Sequence, residues 1–282
     1  KGENDVAKIE NDKYYTPPDL AEYIVNKTKE VLGEDNITEY IEPSAGNGVF
    51  LNYLDKPYIA YDIEPEDDRV IKQDWLTVNL EHKKGRCIIG NPPFGVKNNL
   101  TVAFYKKSVL LADYIAFILP VSQYKNDIKL YEFDLVYSEN LGIRQYSDRK
   151  VHCCFNIYKR PRNGLNKKPN YKLKDVNIIE RIKNDNPKRN KDFDIKNNTY
   201  DLRILGWGTG LNNLPLGGIL SKEDKQYAKE FIIIIHNENL KHKIVQLFKN
   251  TDWTKIYPMT ATPNLLQWQV YKYIKEQIPE IN

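Results

Sequence analysis

The stretch "EYIEPSAGNGVFLNYLDKPYIAYDIEP", residues 39–65, decides how this chain is read. A short β-branched and aromatic run, "EYIEP", ends in the glycine-bearing loop "SAGNG". An apolar group, "VFLNYL", follows with helical character, and then a second strand-like run, "YIAYDIEP". Strand, tight loop, helix and strand in that order are the opening of a parallel sheet. Gly46 and Gly48 let a backbone come close to a ligand. Asp62 ends the second strand twenty residues after Glu42. An acid at that place accepts hydrogen bonds from the two hydroxyls of a ribose. The third glycine of a dinucleotide fingerprint is missing, which argues against NAD and for another nucleoside.

The same alternation extends in both directions. Upstream, "YYTPPDLAEYIVNKTKEVLG" predicts a helix, with Thr16 as a cap, prolines in the first turn, and Gly33 as its end. Downstream, "RCIIGN" reads as a strand, "AFYKKSVLLA" as a helix and "YIAFILPV" as a strand. "FDLVYSE" and "VHCCFNIYKR" read as a hairpin closing the sheet. Strands alternating with helices predict a mostly parallel sheet covered on both faces. Asp74, in "QDWL", reads either as a helix cap or as an acceptor for an adenine amino group. Trp75 beside it reads as core or as a cofactor wall.

"CIIGNPPFGVKNN", residues 87–99, leaves its strand in an unusual way. Two prolines stiffen the turn and remove two backbone donors. The loop falls at the carboxyl end of a strand, where open α/β sheets bind ligands. The side-chain oxygen of Asn91 and the carbonyl of Pro92 can both accept from one exocyclic amine. Pro93 holds the turn rigid, and Phe94 can stack on the ring that carries the amine. Acceptors fixed before reaction are what preorganisation requires.

In order, these motifs resemble the amino-group methyltransferases that use S-adenosylmethionine, most of all the DNA adenine-N6 methyltransferases. The resemblance covers residues 14–160. It implies a Rossmann-like fold with a mostly parallel seven-stranded sheet, and a smaller C-terminal domain. It implies that Tyr15, Thr16 and Pro17 lie over the methionine part of the cofactor. Glu42, Pro43, Ser44, Ala45, Gly46 and Gly48 would form the cofactor loop, and Asp62 and Ile63 the ribose end. Asp74, Trp75 and Asn91 would complete that site, with Asn91, Pro92, Pro93 and Phe94 as the catalytic loop. A second aromatic on a late strand is expected against the flipped base; Phe155 is the candidate, and a core phenylalanine is the equal alternative. The motif order, with only about forty residues between Gly48 and Asn91, resembles the gamma class, whose recognition region is C-terminal. The implied partner is double-stranded DNA, contacted through Lys97, Lys159, Arg160, Arg162, Lys167, Lys168 and Lys172. Adenine in RNA, glutamine in a protein, and a non-catalytic nucleic-acid-binding subunit remain as other readings. A monomer or a restriction-modification pairing fits equally.

Composition sets the remaining bounds. The 282 residues carry 42 Lys and Arg against 38 Asp and Glu, a net charge of +4. That permits a polyanionic partner without demanding one. Composition shifts after Arg160, where "PRNGLNKKPNYKLKD" is basic and linker-like, which predicts a catalytic domain at 14–160 and a second domain at 161–282. Residues 1–13 are polar and read as a flexible tail. Three cysteines, two of them adjacent, argue against a disulfide framework. No apolar run is long enough to span a bilayer and no metal-ligand spacing is present, so an intracellular, membrane-free protein is expected.

Overall fold

The computed structural model describes residues 14–147, 149–183, 193–208, 214–257 and 263–282. The polar stretch 1–13, expected as a tail, lies outside them. The chain divides into two compact units between Pro169 and Asn170.

The first unit opens with α1, Pro18–Leu32, and then β1, Glu39–Glu42, and β2, Tyr58–Asp62. Two-residue β3, Ile71–Lys72, precedes β4, Arg86–Gly90, and α2, Asn99–Leu111. β5, Tyr114–Pro120, leads into the long strands β6, Asp134–Tyr146, and β7, Arg149–Lys159. The strand order is β3-β2-β1-β4-β5-β7-β6. β7 is antiparallel to both neighbours, and the other six strands run one way. The expected seven-stranded, mostly parallel sheet is therefore present, and its closing hairpin is β6–β7.

Period-two alternation distributes each strand over two cores. Cys87, Ile89, Ala116, Ile118, Cys153, Phe155 and Ile157 face Leu20, Ala21, Ile24 and Val25 of α1. Ile88, Ile115, Phe117, Leu119, Cys154 and Tyr158 face Phe104, Tyr105 and Val109 of α2 on the other side. The adjacent cysteines thus point to opposite faces, and all three cysteines are free and buried.

Two local expectations change. "VFLNYL" forms a five-residue 3-10 turn, Val49–Tyr53, instead of an α-helix. Pro57 biases Lys56 out of helical geometry, and the few residues left cannot offset the cost of nucleating a helix. Thr16 does not cap α1: Pro17 stands at the N-cap, with no side-chain bond there.

The second unit has its own core. β8, Val176–Ile182, and β9, Leu202–Leu205, flank the central β10, Lys229–Ile235, in an antiparallel sheet. α3, Glu238–Asn250, the one-turn α4, Trp253–Ile256, and α5, Gln267–Gln277, supply Ile244, Phe248, Trp253, Val270 and Ile274 to that core. The linker-like stretch after Arg160 starts inside the first unit, because Asn166 bonds to the carbonyl of Glu132 and to Asp134. Among the described residues no helix is long and apolar enough to cross a membrane.

Candidate functional site

β1 lies between β2 and β4, so the chain leaves β1 toward one side of the sheet and later resumes on the other. Loops diverge at such a reversal and open a crevice at the carboxyl ends of the strands. Here the loops after β1 and β4 face one another. Ser44 Oγ donates to the main-chain carbonyl of Asn91 at 3.3 Å. A cavity of about 380 Å³ opens at this point, within the size range of small-molecule sites.

Most of the expected cofactor residues line it. Tyr15, Thr16, Glu42, Pro43, Ser44, Ala45 and Gly46 form one part. Asp62, Ile63, Asp74, Trp75, Asn91 and Pro93 form another. Pro17, Gly48, Pro92 and Phe94 adjoin lining residues in sequence and do not line the cavity themselves. Gly48 takes a left-handed conformation that starts the 3-10 turn. The sequence reading missed Val96, Leu100 and Phe104, which add an apolar wall beside Trp75. Phe104 and Leu100 lie on the α2 turns that follow the Asn-Pro-Pro loop, so a helical-wheel projection of α2 from that loop would have found them.

Each acidic group has a definite environment. Asp62 accepts from Gly46 N and Glu64 N, both at 2.8 Å, one on each carboxylate oxygen. It therefore fixes the glycine loop and keeps a second lone pair on each oxygen for a ligand. Asp74 Oδ1 accepts from Leu76 N at 2.9 Å while the residue lines the cavity, so the cap and the ligand-facing position coexist. Trp75 is buried against Tyr61 and contributes to both core and cavity. Glu42 is 1% exposed and accepts from Ser44 N at 3.0 Å. Burial pushes its carboxyl up to about 8, against the Ser44 N–H and with a smaller upward contribution from the Asp62 charge.

The Asn91 amide is the most constrained group at the site. Its Nδ2 donates to the carbonyl of Tyr14 and to Thr16 Oγ1, each at 3.2 Å. Its Oδ1 is shielded from water and has no partner among the described residues. An unpaired buried acceptor costs about 1–3 kcal/mol, so this oxygen lacks the partner that buried polar atoms ordinarily have. Phe94 stacks on Tyr14, with ring centroids 5.6 Å apart and planes at 29°. Lys97 is exposed, in left-handed backbone, and follows the lining residues Gly95 and Val96 without lining the cavity itself.

Other expected contacts fall elsewhere. Phe155 is a correction: it is fully buried in the α1-facing core, edge-on to Tyr137, and its ring cannot reach a base without unpacking the sheet. Lys159 pairs with Tyr114 at the amino end of β5, whereas the Asn-Pro-Pro loop leaves the carboxyl end of β4. Seven-residue β5 separates the two edges by ~20 Å. Arg160 is structural, donating to the carbonyls of Val109 and Ala112 at the end of α2 and facing Asp113. Arg162, Lys167, Lys168 and Lys172 are exposed, and the first three, which belong to the first unit, are not among the residues that line the cavity.

No family model matches this sequence, and no curated protein matches it. Among solved structures the chain is similar to a proposed RNA methyltransferase from Pyrococcus horikoshii, with 17% identity and a TM-score of 0.44 over 53% of this chain and 87% of that one. It is similar to protein 1320 of Thermoplasma acidophilum, with 18% identity and a TM-score of 0.41 over 55% and 93%. It is also similar to a proposed class I S-adenosylmethionine-dependent methyltransferase from Listeria monocytogenes, with 13% identity and a TM-score of 0.40 over 55% and 63%.

Proposed function

We propose that this protein transfers a methyl group from S-adenosylmethionine to the N6 amino group of adenine in duplex DNA. The observation that carries this reading is the Asn91 amide. Its hydrogens are both used within the protein, and its oxygen is dry and unpartnered beside a nucleoside-sized cavity. An acceptor of this kind selects a substrate that brings N–H groups.

The residues around the cavity fit the cofactor. Asp62 suits ribose hydroxyls, and Asp74 with Trp75, Leu76 and Phe104 suits an adenine ring. The loop of Ser44 to Gly46, with the Glu42 carboxyl beside it, suits the polar amino acid part. When bound, S-adenosylmethionine supplies an electrophilic methyl group. Asn91 Oδ1 and the Pro92 carbonyl then accept the two hydrogens of the target amine. This draws the nitrogen lone pair out of conjugation with the ring and stabilises the positive charge that grows on nitrogen. The surplus proton leaves to solvent after transfer, so no strong base is required before attack. Phe94, stacked from behind by Tyr14, offers a rigid aromatic surface to the base.

Charge supports a nucleic-acid partner. The second unit, 170–282, carries 18 Lys and Arg against 13 Asp and Glu, while the first carries 24 against 25. The basic surplus is thus confined to the C-terminal unit, in keeping with a recognition role there. The test is methyl transfer from labelled cofactor to duplex DNA, to RNA and to a glutamine-containing peptide, followed by base-resolution mapping. Label at N6 of adenine in DNA is the expected outcome. Label only in RNA or peptide would replace the substrate, and label in none would overturn the reading.

A further inference from the structure

An asparagine amide can turn over, exchanging its donor and its acceptor, and nothing in the side chain itself prevents this. In a site that recognises an amine, the wrong orientation presents two donors to two donors. Something must therefore hold Asn91 the right way round. The rigid prolines cannot do so, because they fix the backbone and leave the side-chain torsion free.

The partners of Nδ2 settle the orientation. The carbonyl of Tyr14 can only accept, so the atom facing it must be the nitrogen. Thr16 Oγ1 lies at the same distance, 3.2 Å, and takes the second hydrogen. Thr16 is 5% exposed and stands just before α1, where threonine ordinarily bonds the first turn of a helix. Here its side chain makes no such bond, and Pro17 takes the cap position. The hydroxyl is therefore turned away from its usual local partner and toward the catalytic loop, 75 residues away in sequence. The prolines at 17 and 18 make this possible: lacking N–H groups, they remove donors that would otherwise need the threonine oxygen.

Resting on the function proposed above, we infer that Thr16 is a positioning residue which, with the Tyr14 carbonyl, locks the Asn91 amide so that its oxygen is the group left for the substrate amine. Ser44 steadies the backbone of the same residue, by its bond to the main-chain carbonyl of Asn91. Segments from before α1 and after β1 thus both hold Asn91, the first at its side chain and the second at its main-chain carbonyl.

Thr16→Val keeps the shape and removes the acceptor, and Thr16→Ser keeps the acceptor. In single-turnover methyl transfer, T16V is expected to lower the rate at saturation by about 10–100-fold, with smaller changes in KM, and T16S to restore most of it. Asn91→Asp provides the control, because a carboxylate presents an oxygen whichever way it turns. In that background T16V should cost little further. Exchange of the Asn91 side-chain amide protons, identified by their loss in the N91D spectrum, reads the lock without any activity. It should be slow in the wild type and T16S and fast in T16V. Slow exchange in T16V, a T16S as impaired as T16V, or an equal T16V loss in the N91D background would each overturn the assignment. If exchange behaves as expected while even the wild type methylates no acceptor, the lock stands and the function proposed above fails.

Discussion

Glu42 shows how the site turns burial into chemistry. A carboxyl with one backbone donor, next to the charge of Asp62, keeps its proton near neutral pH. The native state then binds one more proton than the unfolded chain between the ordinary glutamate value and about 8. Stability tied to this group is present below that window and is lost as pH rises through about 8. Glu42→Gln should flatten that part of the curve, so urea midpoints from pH 5 to pH 9 should fall more steeply for the wild type than for E42Q. Parallel curves would show that Glu42 ionises freely. Asn91→Ala removes the acceptor altogether. It should lower methyl transfer by about 10²–10³-fold while cofactor affinity and unfolding midpoint stay close to wild type. A full rate at saturating DNA and cofactor would remove Asn91 from the mechanism.

Elements explain why these residues meet. Gly90 closes β4 at φ +152, and a Cβ there would lie 2.4 Å from Glu42 Oε1 and 2.8 Å from its Cδ. Neighbouring strands β1 and β4 can place a carboxyl and the Asn-Pro-Pro loop side by side only because this position has no side chain. Gly90→Ala should destabilise the fold by about 1–3 kcal/mol, with cofactor affinity reduced in the protein that remains folded. Calorimetric titration beside a urea melt checks both, and unchanged values would mean that Glu42 moves aside at no cost. The same scale accounts for Phe155. It lies on β7, between Ile118 of β5 and Glu139 of β6, and a ring on a central strand that faces a covering helix belongs to the core.

At the scale of the whole molecule, the question is where a polyanion would bind. The first unit is close to neutral and the second is basic. Replacing Lys167, Lys168 and Lys172 together by alanine should weaken duplex binding on most sequences and lower the slope of log K against log salt, by up to ~0.9 for each lost contact. An unchanged slope would assign phosphate binding to other basic residues of the chain.

The sequence alone determined the alternation of strands and helices, the glycine-bearing loop after β1 and the Asn-Pro-Pro loop after β4. All of these rest on local periodicity and on residues whose backbone restrictions are intrinsic, such as Gly46 and the paired prolines. It did not determine which aromatic ring is accessible, because Phe155 and Phe94 look alike until strand order decides which is covered. It placed Arg160 in a basic stretch, but the hydrogen bonds to the end of α2 arise only when β7 returns along β5. Thr16 read as a helix cap because capping is a local signal. Only the tertiary structure brings the Asn91 amide within reach of its hydroxyl, and a long-range donor then holds an oxygen that a short-range one would otherwise have used.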